Sequence, residues 1–197
     1  MPSATHRIVT RRDRYNGRLD TAQKFPVSIA TINFGCDENL GYIIRAAACF
    51  GCSEVHVIGK IPERAFLSSV SGSLVDYVNL TQHASPHDFL VYAKQENMIL
   101  ISAELHDRAV QLEDYSFDFS SKTCIVLGNE KSGVPEEITY NSDVVMIPMH
   151  GVGACLNTAQ TGNIILYEYT RRYANHMRNH EHLRLESGSG LGGKRLL

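Results

Sequence analysis

The sequence predicts an α/β fold in which a parallel sheet carries helices on both faces. Strand-like and helix-like segments alternate along most of the 197-residue chain, and parallel strands need such crossover helices between them. An apolar content of 43% is enough to form a packed core. In addition, three loops that combine glycine with polar residues each follow a strand-like segment. A chain of this length is expected to form one domain with short tails.

In the first half of the chain, the sequence predicts two strands and two helices. Residues 25–33 read as a strand, and apolar residues at helical spacing predict a helix over residues 39–50, which Gly51 ends. Polar and apolar residues alternate over residues 53–58, as they do in a half-buried strand. A Ser-Pro pair opens residues 85–97, and such a pair is typical of the start of a helix.

The second half supplies three short apolar strands and one long helix. Residues 98–102 and 123–127 are the first two strands, and residues 143–147 are the third. Residues 156–172 then have the periodicity of a helix. The glycine- and serine-rich segment 187–197 has the composition of a flexible tail.

Charge is segregated along the chain, although its net value is only −2. Residues 1–24 and residues 171–197 each hold six basic and two acidic side chains, which leaves a net charge of −10 between them. Two basic ends on an acidic body can act as phosphate-binding arms, or they can be solvated tails that keep the protein soluble. If the N-terminal end binds a nucleic-acid backbone, we expect five arginines to make the contacts: Arg7, Arg11, Arg12, Arg14 and Arg18.

These observations divide the chain into a basic arm (residues 1–24), an α/β domain (residues 25–174) and a basic, flexible tail (residues 175–197). No run of about 18 apolar residues is present, so we expect no membrane span. The basic arm lacks the apolar segment of a signal peptide. Five cysteines, an odd number, argue against a disulfide framework and favour a cytoplasmic, reducing location.

Three loop-containing segments are candidate ligand sites, because open α/β sheets bind ligands at the carboxyl ends of their strands. These segments are residues 39–51, 127–135 and 147–157. Each also has an ordinary structural interpretation. Arg45 could simply extend from a helix face to solvent. The second segment lacks the spacing of a phosphate-binding loop, and the third lacks the last glycine of a dinucleotide-binding fingerprint.

Taken together, the three segments resemble the three motifs of the SpoU (TrmH-like) class of SPOUT RNA methyltransferases. The residues that match the first motif are Asn39, Gly41, Arg45, Phe50 and Gly51. Those that match the second are Gly128, Glu130, Gly133 and Val134. Those that match the third motif and the helix after it are Ile147, Pro148, Met149, Gly151, Leu156, Asn157, Leu166, Tyr167 and Glu168. The resemblance covers about residues 27–173.

Two positions depart from the family pattern. Cys155 stands where the family has serine, and a thiol is a weaker hydrogen-bond partner than a hydroxyl. Residues 158–161 read Thr-Ala-Gln-Thr, where the family usually has small apolar residues and serine. We expect these changes to affect the positioning of the cofactor or nucleophile more than activity itself.

The resemblance implies a C-terminal deep trefoil knot whose loops hold the cofactor S-adenosylmethionine (SAM). Nothing in the periodicity of the sequence predicts a knot, and general folding rules make one improbable. Glycines suit such loops because the backbone must approach the ligand closely. The residues implied to bind SAM are Leu127, Gly128, Asn129, Glu130, Ile147, Pro148, Met149, Gly151, Cys155, Leu156, Asn157 and Thr158.

The implied reaction is methyl transfer from SAM to a ribose 2′-hydroxyl of RNA. By this resemblance, Arg45 acts at that hydroxyl. Since arginine is a poor base, we expect Arg45 to bind the neighbouring phosphate and stabilise the developing alkoxide. Asn39 is expected to orient Arg45 or the ribose. Glu130 and Asn157 are expected to hold the loops and the ribose or methionine end of the cofactor.

The resemblance further implies a homodimer that binds RNA across both protomers. Six residues of the final helix share one face and are expected to form the dimer contact: Leu156, Ala159, Asn163, Leu166, Tyr167 and Thr170. Ile164 and Ile165 would widen this apolar surface. Family members modify transfer or ribosomal RNA, and the apparent lack of a large additional RNA-binding domain favours transfer RNA.

Two other classes of protein remain open at this stage. A knotted RNA-binding protein without turnover would account for the departures at Cys155 and residues 158–161. A nicotinamide-dependent Rossmann enzyme has less support, because no GxGxxG follows the first strand. Cys49 and Cys52 have CxxC spacing, but no second ligand pair follows at zinc-finger spacing, so we expect no metal site.

Overall fold

The computed structural model describes the backbone of residues 10–188 and the side chains of residues 10–179. Within that part of the chain, seven strands form one sheet in which every strand pair is parallel. The strands are β1 (Val27–Ile32), β2 (Glu54–Ile58), β3 (Asn79–His83), β4 (Ile99–Ala103), β5 (Val110–Gln111), β6 (Thr123–Leu127) and β7 (Asp143–Met146). Their order across the sheet is β3-β2-β1-β6-β4-β7-β5, which confirms the predicted parallel α/β class.

Helices cover both faces of this sheet. They are α1 (Arg11–Asn16), α2 (Asp37–Cys49), α3 (Arg64–Ser71), α4 (Pro86–Gln95), α5 (Glu136–Tyr140) and α6 (Thr158–Gly188). Helices α2, α3 and α6 pack on one apolar core, whereas α4 and α5 pack on a second. Successive strand residues point to opposite cores, as Ile125 and Val126 of β6 do. None of the helices within residues 10–188 is long and apolar enough to cross a membrane.

The structure differs from the sequence-based expectation at both ends of the α/β domain. Helix α6 continues through Gly188, so it covers the described part of the tail that was predicted to be flexible from residue 175. Residues 173–187 contain neither glycine nor proline, and therefore nothing in this segment stops the helix. Within the predicted basic arm, α1 is a short helix with a capping box between Thr10 and Asp13.

The order of the strands places four strand ends side by side. Thr31 of β1 pairs with Leu127 of β6, Leu127 with Ala103 of β4, and Ala103 with Val145 of β7. Because all four strands run in the same direction, the loops that follow them leave the same edge of the sheet. The three loops singled out in the sequence, together with the loop after β4, therefore meet at this carboxyl edge.

Candidate active site

A chain of side-chain hydrogen bonds joins the three motif loops. Asn39, near the start of α2, donates from Nδ2 to Oε1 of Glu130 at 2.5 Å. Asn157, just before α6, donates from Nδ2 to Oδ1 of Asn39 at 3.0 Å. Asn39 is only 2% exposed, so these bonds satisfy an amide that is shielded from water. The side chain of Asn39 thus contacts Glu130 and Asn157, and it forms no hydrogen bond with Arg45, one of the two partners expected for it.

The Glu130 carboxylate also fixes the loop after β1. Its Oε2 accepts from the backbone N–H of Gly35 at 2.7 Å, and its Oε1 accepts from that of Cys36 at 3.3 Å. Burial opposes ionisation of this carboxyl, but the hydrogen bonds from the backbone and from Asn39 outweigh burial and lower the pKa of Glu130. Glu130 is therefore ionised at neutral pH, and it is better suited to holding two loops together than to accepting a proton.

The loop after β6 is folded tightly back on itself. Asn129 and Gly133 exchange backbone hydrogen bonds of 3.0 and 2.9 Å. A side chain at Gly128 would place its Cβ 2.2 Å from the backbone of Gly133, so this close approach requires glycine. On the other side, the carboxylate of Glu104 accepts from the backbone N–H of Val134 at 2.8 Å. These contacts hold the loop in one shape before any ligand binds.

The start of α6 ties the third motif loop to the second. Oδ1 of Asn157 accepts from the backbone N–H groups of Ala159 at 2.9 Å and Gln160 at 3.3 Å, and so caps the helix. The hydroxyl of Thr158 donates to the carbonyl oxygen of Gly128 at 3.3 Å. Thr158 belongs to the segment that departs from the family pattern, yet it makes a contact that holds the site together.

The second and third motif loops, the loop after β4 and the start of α6 surround a cavity of about 490 Å³. Ten of the twelve residues that were implied to bind SAM line it: Leu127, Gly128, Asn129, Glu130, Ile147, Met149, Cys155, Leu156, Asn157 and Thr158. Pro148 and Gly151 are not part of its lining. A Cβ placed on Gly151 would meet no atom within 4 Å, so the third loop faces open space at that residue instead of the cavity.

Sequence reasoning missed the wall that the loop after β4 contributes. Ala103, Glu104 and Leu105 line the cavity because β4 lies between β6 and β7 in the sheet. This loop contains none of the three motifs. The signal that could have found it is the polar Glu104 directly after an apolar strand, at the edge where α/β sheets bind ligands.

A second cavity, of about 710 Å³, lies between α2 and α6 and contains Arg45. Its other lining residues are Tyr42, Ala46, Cys49, Phe50, Asn157, Ala159, Gln160 and Asn163. Arg45 is exposed, and its side chain forms no hydrogen bond or salt bridge with any other described residue. Asn157 lines both cavities, so the groove that holds Arg45 adjoins the first cavity at this residue.

Four of the five arginines that were predicted to bind RNA lie in the described part of the basic arm. Arg11, Arg12 and Arg14 belong to α1, Arg18 follows it, and all four are exposed. Arg7 lies outside the described residues. The arm therefore presents several cations to solvent from a short, folded helix.

The predicted dimer face on α6 is only partly available to a partner. Ala159, Leu166 and Thr170 are buried within the protomer, because this side of α6 packs on its own core. Ile165, which was expected to widen the face, is also fully buried. The apolar residues that remain exposed in this region are Leu156, which precedes α6, and Ile164 and Tyr167 on α6.

The five cysteines are all free thiols. Cys52 is buried at the end of α2, with its Sγ 3.2 Å from the carbonyl oxygen of Val27, and burial raises the pKa of its thiol to about 12. Cys49, the other residue of the CxxC pair, is exposed. Within residues 10–179, no group of three or more histidine, cysteine, aspartate or glutamate side chains is placed to hold a metal ion.

A parallel α/β sheet with polar, glycine-containing loops around one cavity at its carboxyl edge defines a ligand-binding α/β domain. More specifically, the chain belongs to the SpoU rRNA Methylase family, whose sequence profile matches residues 26–167. The matched residues include all three motif loops and the first part of α6. This finding confirms the family membership that the motifs predicted.

Two curated relatives are tRNA 2′-O-methyltransferases. The tRNA (guanosine(18)-2′-O)-methyltransferase of Escherichia coli strain K12 is 30% identical over 138 residues, which are 70% of this chain and 59% of the relative. The chain therefore spans little more than half the length of this relative. The tRNA (cytidine(34)-2′-O)-methyltransferase of Ancylobacter novellus is 27% identical over 139 residues, or 68% of this chain and 85% of that protein.

Solved structures share the fold. The TrmH/SpoU tRNA modifying enzyme of A. aeolicus superposes with a TM-score of 0.69 at 23% identity, covering 84% of this chain and 83% of that one. The SpoU methyltransferase AviRb of Streptomyces viridochromogenes, solved in complex with AdoMet, gives a TM-score of 0.68 at 23% identity, covering 80% and 65%. At these identities, the likeness establishes the fold alone.

Proposed function

We propose that this protein is a SAM-dependent RNA methyltransferase that modifies a ribose 2′-hydroxyl of tRNA or rRNA, with tRNA favoured. The observation that carries the proposal is the adjacency of two cavities at Asn157. One is lined by the second and third motif loops, and the other holds Arg45, which has no hydrogen-bond or salt-bridge partner among the described side chains. A methyl donor in the first cavity would lie next to a group that attracts the phosphate backbone of RNA.

The first cavity has the chemistry that SAM requires. Leu127, Val145 and Ile165 provide an apolar wall suited to an adenine ring. The ionised carboxylate of Glu130 also lines the cavity and favours a ligand with positive charge. The tightly folded loop after β6 supplies backbone groups that are held in place before binding, which lowers the cost of ordering them.

The reaction needs positioning more than acid–base power. When bound, SAM supplies a methyl group that is already electrophilic. This methyl group would move from sulfur to the ribose 2′-oxygen, the electron pair of the broken carbon–sulfur bond would remain on sulfur, and the hydroxyl proton would leave. The planar guanidinium of Arg45 would stabilise the developing alkoxide and bind the adjacent phosphate. That phosphate, or water, takes the proton.

The names of the curated relatives favour tRNA among the possible substrates. The two curated relatives compared above are both named for tRNA nucleotides, at two different positions. The four arginines on and after α1 add cations near a body of net negative charge, and such contacts supply affinity for an RNA backbone without selecting its sequence. The nucleotide that is modified depends on shape and base contacts elsewhere on the surface.

The direct test is methyl transfer from SAM labelled in its methyl group. The purified protein is incubated separately with total tRNA and with rRNA, neither carrying the modification. We expect label to enter RNA, and tRNA to take up more of it. SAM binding and RNA binding without any transfer would instead support the RNA-binding protein without turnover.

We further propose that the active form is a homodimer built on α2 and α6. Tyr42 lines the groove between these helices and is 50% exposed, and Tyr167 and Ile164 of α6 are 55% and 38% exposed. A self-complementary contact of this kind closes at two copies. Light scattering should give twice the 21.9 kDa mass of one chain. Tyr167→Glu should yield monomers, and a fully active monomer would contradict the proposal.

The last parts of the proposal are the trefoil knot and a cytoplasmic location. The knot is supported by the sheet order, in which β6 inserts between β1 and β4, and by α6 returning to pack beside α2. Pulling the chain from its termini should then leave a contour shorter than that of an unknotted chain of the same length.

Free cysteines and an RNA substrate both suit a reducing cytoplasm.

A further inference from the structure

Two arginines from distant parts of the chain converge beside Gly72. The Cβ position of this glycine lies 3.5 Å from Nη1 of Arg45 and 3.9 Å from Nη1 of Arg11. The two Nη1 atoms are therefore at most 7.4 Å apart, the sum of these distances. Arg45 belongs to α2 and Arg11 to α1, so the second cation comes from the basic arm and not from a SpoU motif.

Neither guanidinium is neutralised by a side chain within residues 10–179. Arg11 and Arg45 are both exposed, and neither side chain forms a hydrogen bond or salt bridge with another described residue. Other arginines of the same structure do have carboxylate partners, since Arg64 pairs with Asp76 and Arg171 pairs with Glu168. Two like charges at this separation repel each other, and an anion between them would relieve that repulsion.

The position of Arg11 is set by contacts of α1 with the body of the protein. The hydroxyl of Tyr15 donates to the carbonyl oxygen of Gly72 at 3.2 Å. The rings of Tyr15 and Tyr77 pack edge to face with centroids 5.5 Å apart, and the hydroxyl of Tyr77 donates to Oδ1 of Asn16 at 2.8 Å. Helix α1 is thus docked at the same residue beside which the two arginines meet.

We propose that Arg11 and Arg45 together bind one backbone phosphate next to the reacting ribose, which makes Arg11 a further substrate-binding residue of the reaction. The proposal rests on the function proposed above. A charge-assisted N–H···O bond is about 2.8 Å long, so two such bonds to one oxygen span up to about 5.6 Å, and bonds to two oxygens of one phosphate span more. The separation of at most 7.4 Å fits a single phosphate held from both sides.

This arrangement predicts different roles for Arg11 and Arg12, which are neighbours on α1. Arg12 is rotated about 100° from Arg11 around the helix and is not among the atoms nearest to Gly72, so we expect it to add only general attraction for RNA. Arg11 acts on the phosphate whose ribose reacts, and its loss misplaces that ribose relative to the methyl group. Removal of Arg11 should therefore lower kcat, whereas removal of Arg12 should raise KM.

The first test measures phosphate binding without any turnover. Inorganic phosphate is titrated into the full-length protein while the side-chain Nε–Hε signals of arginine are followed by NMR, with assignments from Arg11→Lys and Arg45→Lys. Both signals should shift with one Kd, and Arg11→Ala should weaken binding at Arg45 about fivefold or more. Movement of only one signal, or an unchanged Kd at Arg45, would overturn the shared site.

The second test compares methyl transfer to total tRNA by Arg11→Ala, Arg12→Ala and the control Arg64→Ala. Arg11→Ala should lower kcat about tenfold or more. In a protein that already carries Arg45→Ala, adding Arg11→Ala should lower kcat little further. Arg64→Ala should match the wild type. Equal kcat values for Arg11→Ala and the wild type would refute the assignment. A wild type that binds phosphate through both arginines but transfers no methyl would refute the proposed function and leave the two-arginine site standing.

Discussion

Glu130 and Asn39 are 91 residues apart in the sequence, yet the carboxylate of Glu130 accepts a 2.5 Å hydrogen bond from the amide of Asn39. Through Asn39 the same chain of contacts reaches Asn157 at the start of α6. One ionised carboxylate thereby connects the loops after β1 and β6 with the third motif loop. Glu130 and Asn157 both line the first cavity, so this connection joins two parts of its wall.

Replacing Glu130 with glutamine should weaken SAM binding. The amide of glutamine cannot accept at both oxygens, so the backbone N–H of Gly35 or the amide of Asn39 would lose its partner, at a cost of about 1–3 kcal/mol. If that cost falls on the loops around the cofactor, the SAM Kd measured by calorimetry should rise about tenfold. Glu137→Gln, at an exposed position of α5, is the matched control. Unchanged SAM affinity in Glu130→Gln would show that the connection does not shape the cavity.

Loss of Arg45 should separate catalysis from cofactor binding. Arg45 lies in the groove between α2 and α6 and is absent from the lining of the first cavity. Arg45→Ala should therefore lower the methyl-transfer rate by about 100-fold or more while leaving the SAM Kd within about twofold. Arg45→Lys keeps the charge without the planar fork and should recover only part of the rate. A variant with more than half of wild-type turnover would rule out the assigned role.

Cys155 should tolerate conversion to the serine that is usual in the family. Its side chain lines the first cavity and is exposed. A hydroxyl is a better hydrogen-bond donor than a thiol, so Cys155→Ser should preserve or increase the methyl-transfer rate. Cys155→Val is similar in size but cannot hydrogen bond, and it should weaken SAM binding. Complete inactivation of the serine variant would mean that the thiol has a role of its own.

The buried pair His56 and His83 should make the fold sensitive to acid. Their rings are joined by a 3.2 Å contact between Nδ1 of His56 and Nε2 of His83, and His56 is fully buried. Burial lowers the pKa of His56 to about 4, with a smaller opposing effect from Glu54 and a further lowering by His83. Burial also lowers the pKa of His83. The folded protein thus holds both rings neutral at pH values where the unfolded chain binds protons.

Because the pKa of His56 is lower in the folded state, stability is lost as pH falls below about 6.5 and the loss continues to about pH 4. Between pH 7 and pH 5, this residue should remove about 2 kcal/mol from the free energy of unfolding. Urea unfolding at the two pH values measures the difference. His56→Gln should reduce it, whereas His87→Gln, at an exposed position, should not. An equal pH effect in His56→Gln and the wild type would contradict this cause.

Much of the fold could be read from local patterns. The strand over residues 123–127 was predicted with its observed bounds, and helix α2 was placed within two residues, because both have strong apolar periodicity. Strand β3 was missed because its pattern is weakly apolar, and α5 because it has only five residues. The extent of α6 was underestimated, since its polar last turns lack the apolar spacing that marks a buried helix.

The motifs identified the candidate site but not its internal contacts. Spacing alone could not show that Asn39 bonds Glu130 and Asn157, because those contacts depend on how the strands are ordered in the sheet. For the same reason, the sequence could not predict that Glu104 lines the cavity or that Arg11 meets Arg45. The sequence also could not predict that Leu166 is buried in the core of its own protomer. Helical periodicity indicates an apolar face but not whether the same protomer or a partner covers it.

The central claim is that a methyl group is transferred to a ribose oxygen of RNA with the help of Arg45. The most direct measurement is mass spectrometry of nucleosides from tRNA incubated with SAM and either the wild type or Arg45→Ala. The wild type should add 14 mass units, the difference of one methylene group, to the ribose fragment of one nucleoside and leave its base fragment unchanged, and Arg45→Ala should add almost none (about 100-fold less). Methylation on a base, or equal methylation by the two proteins, would contradict the account.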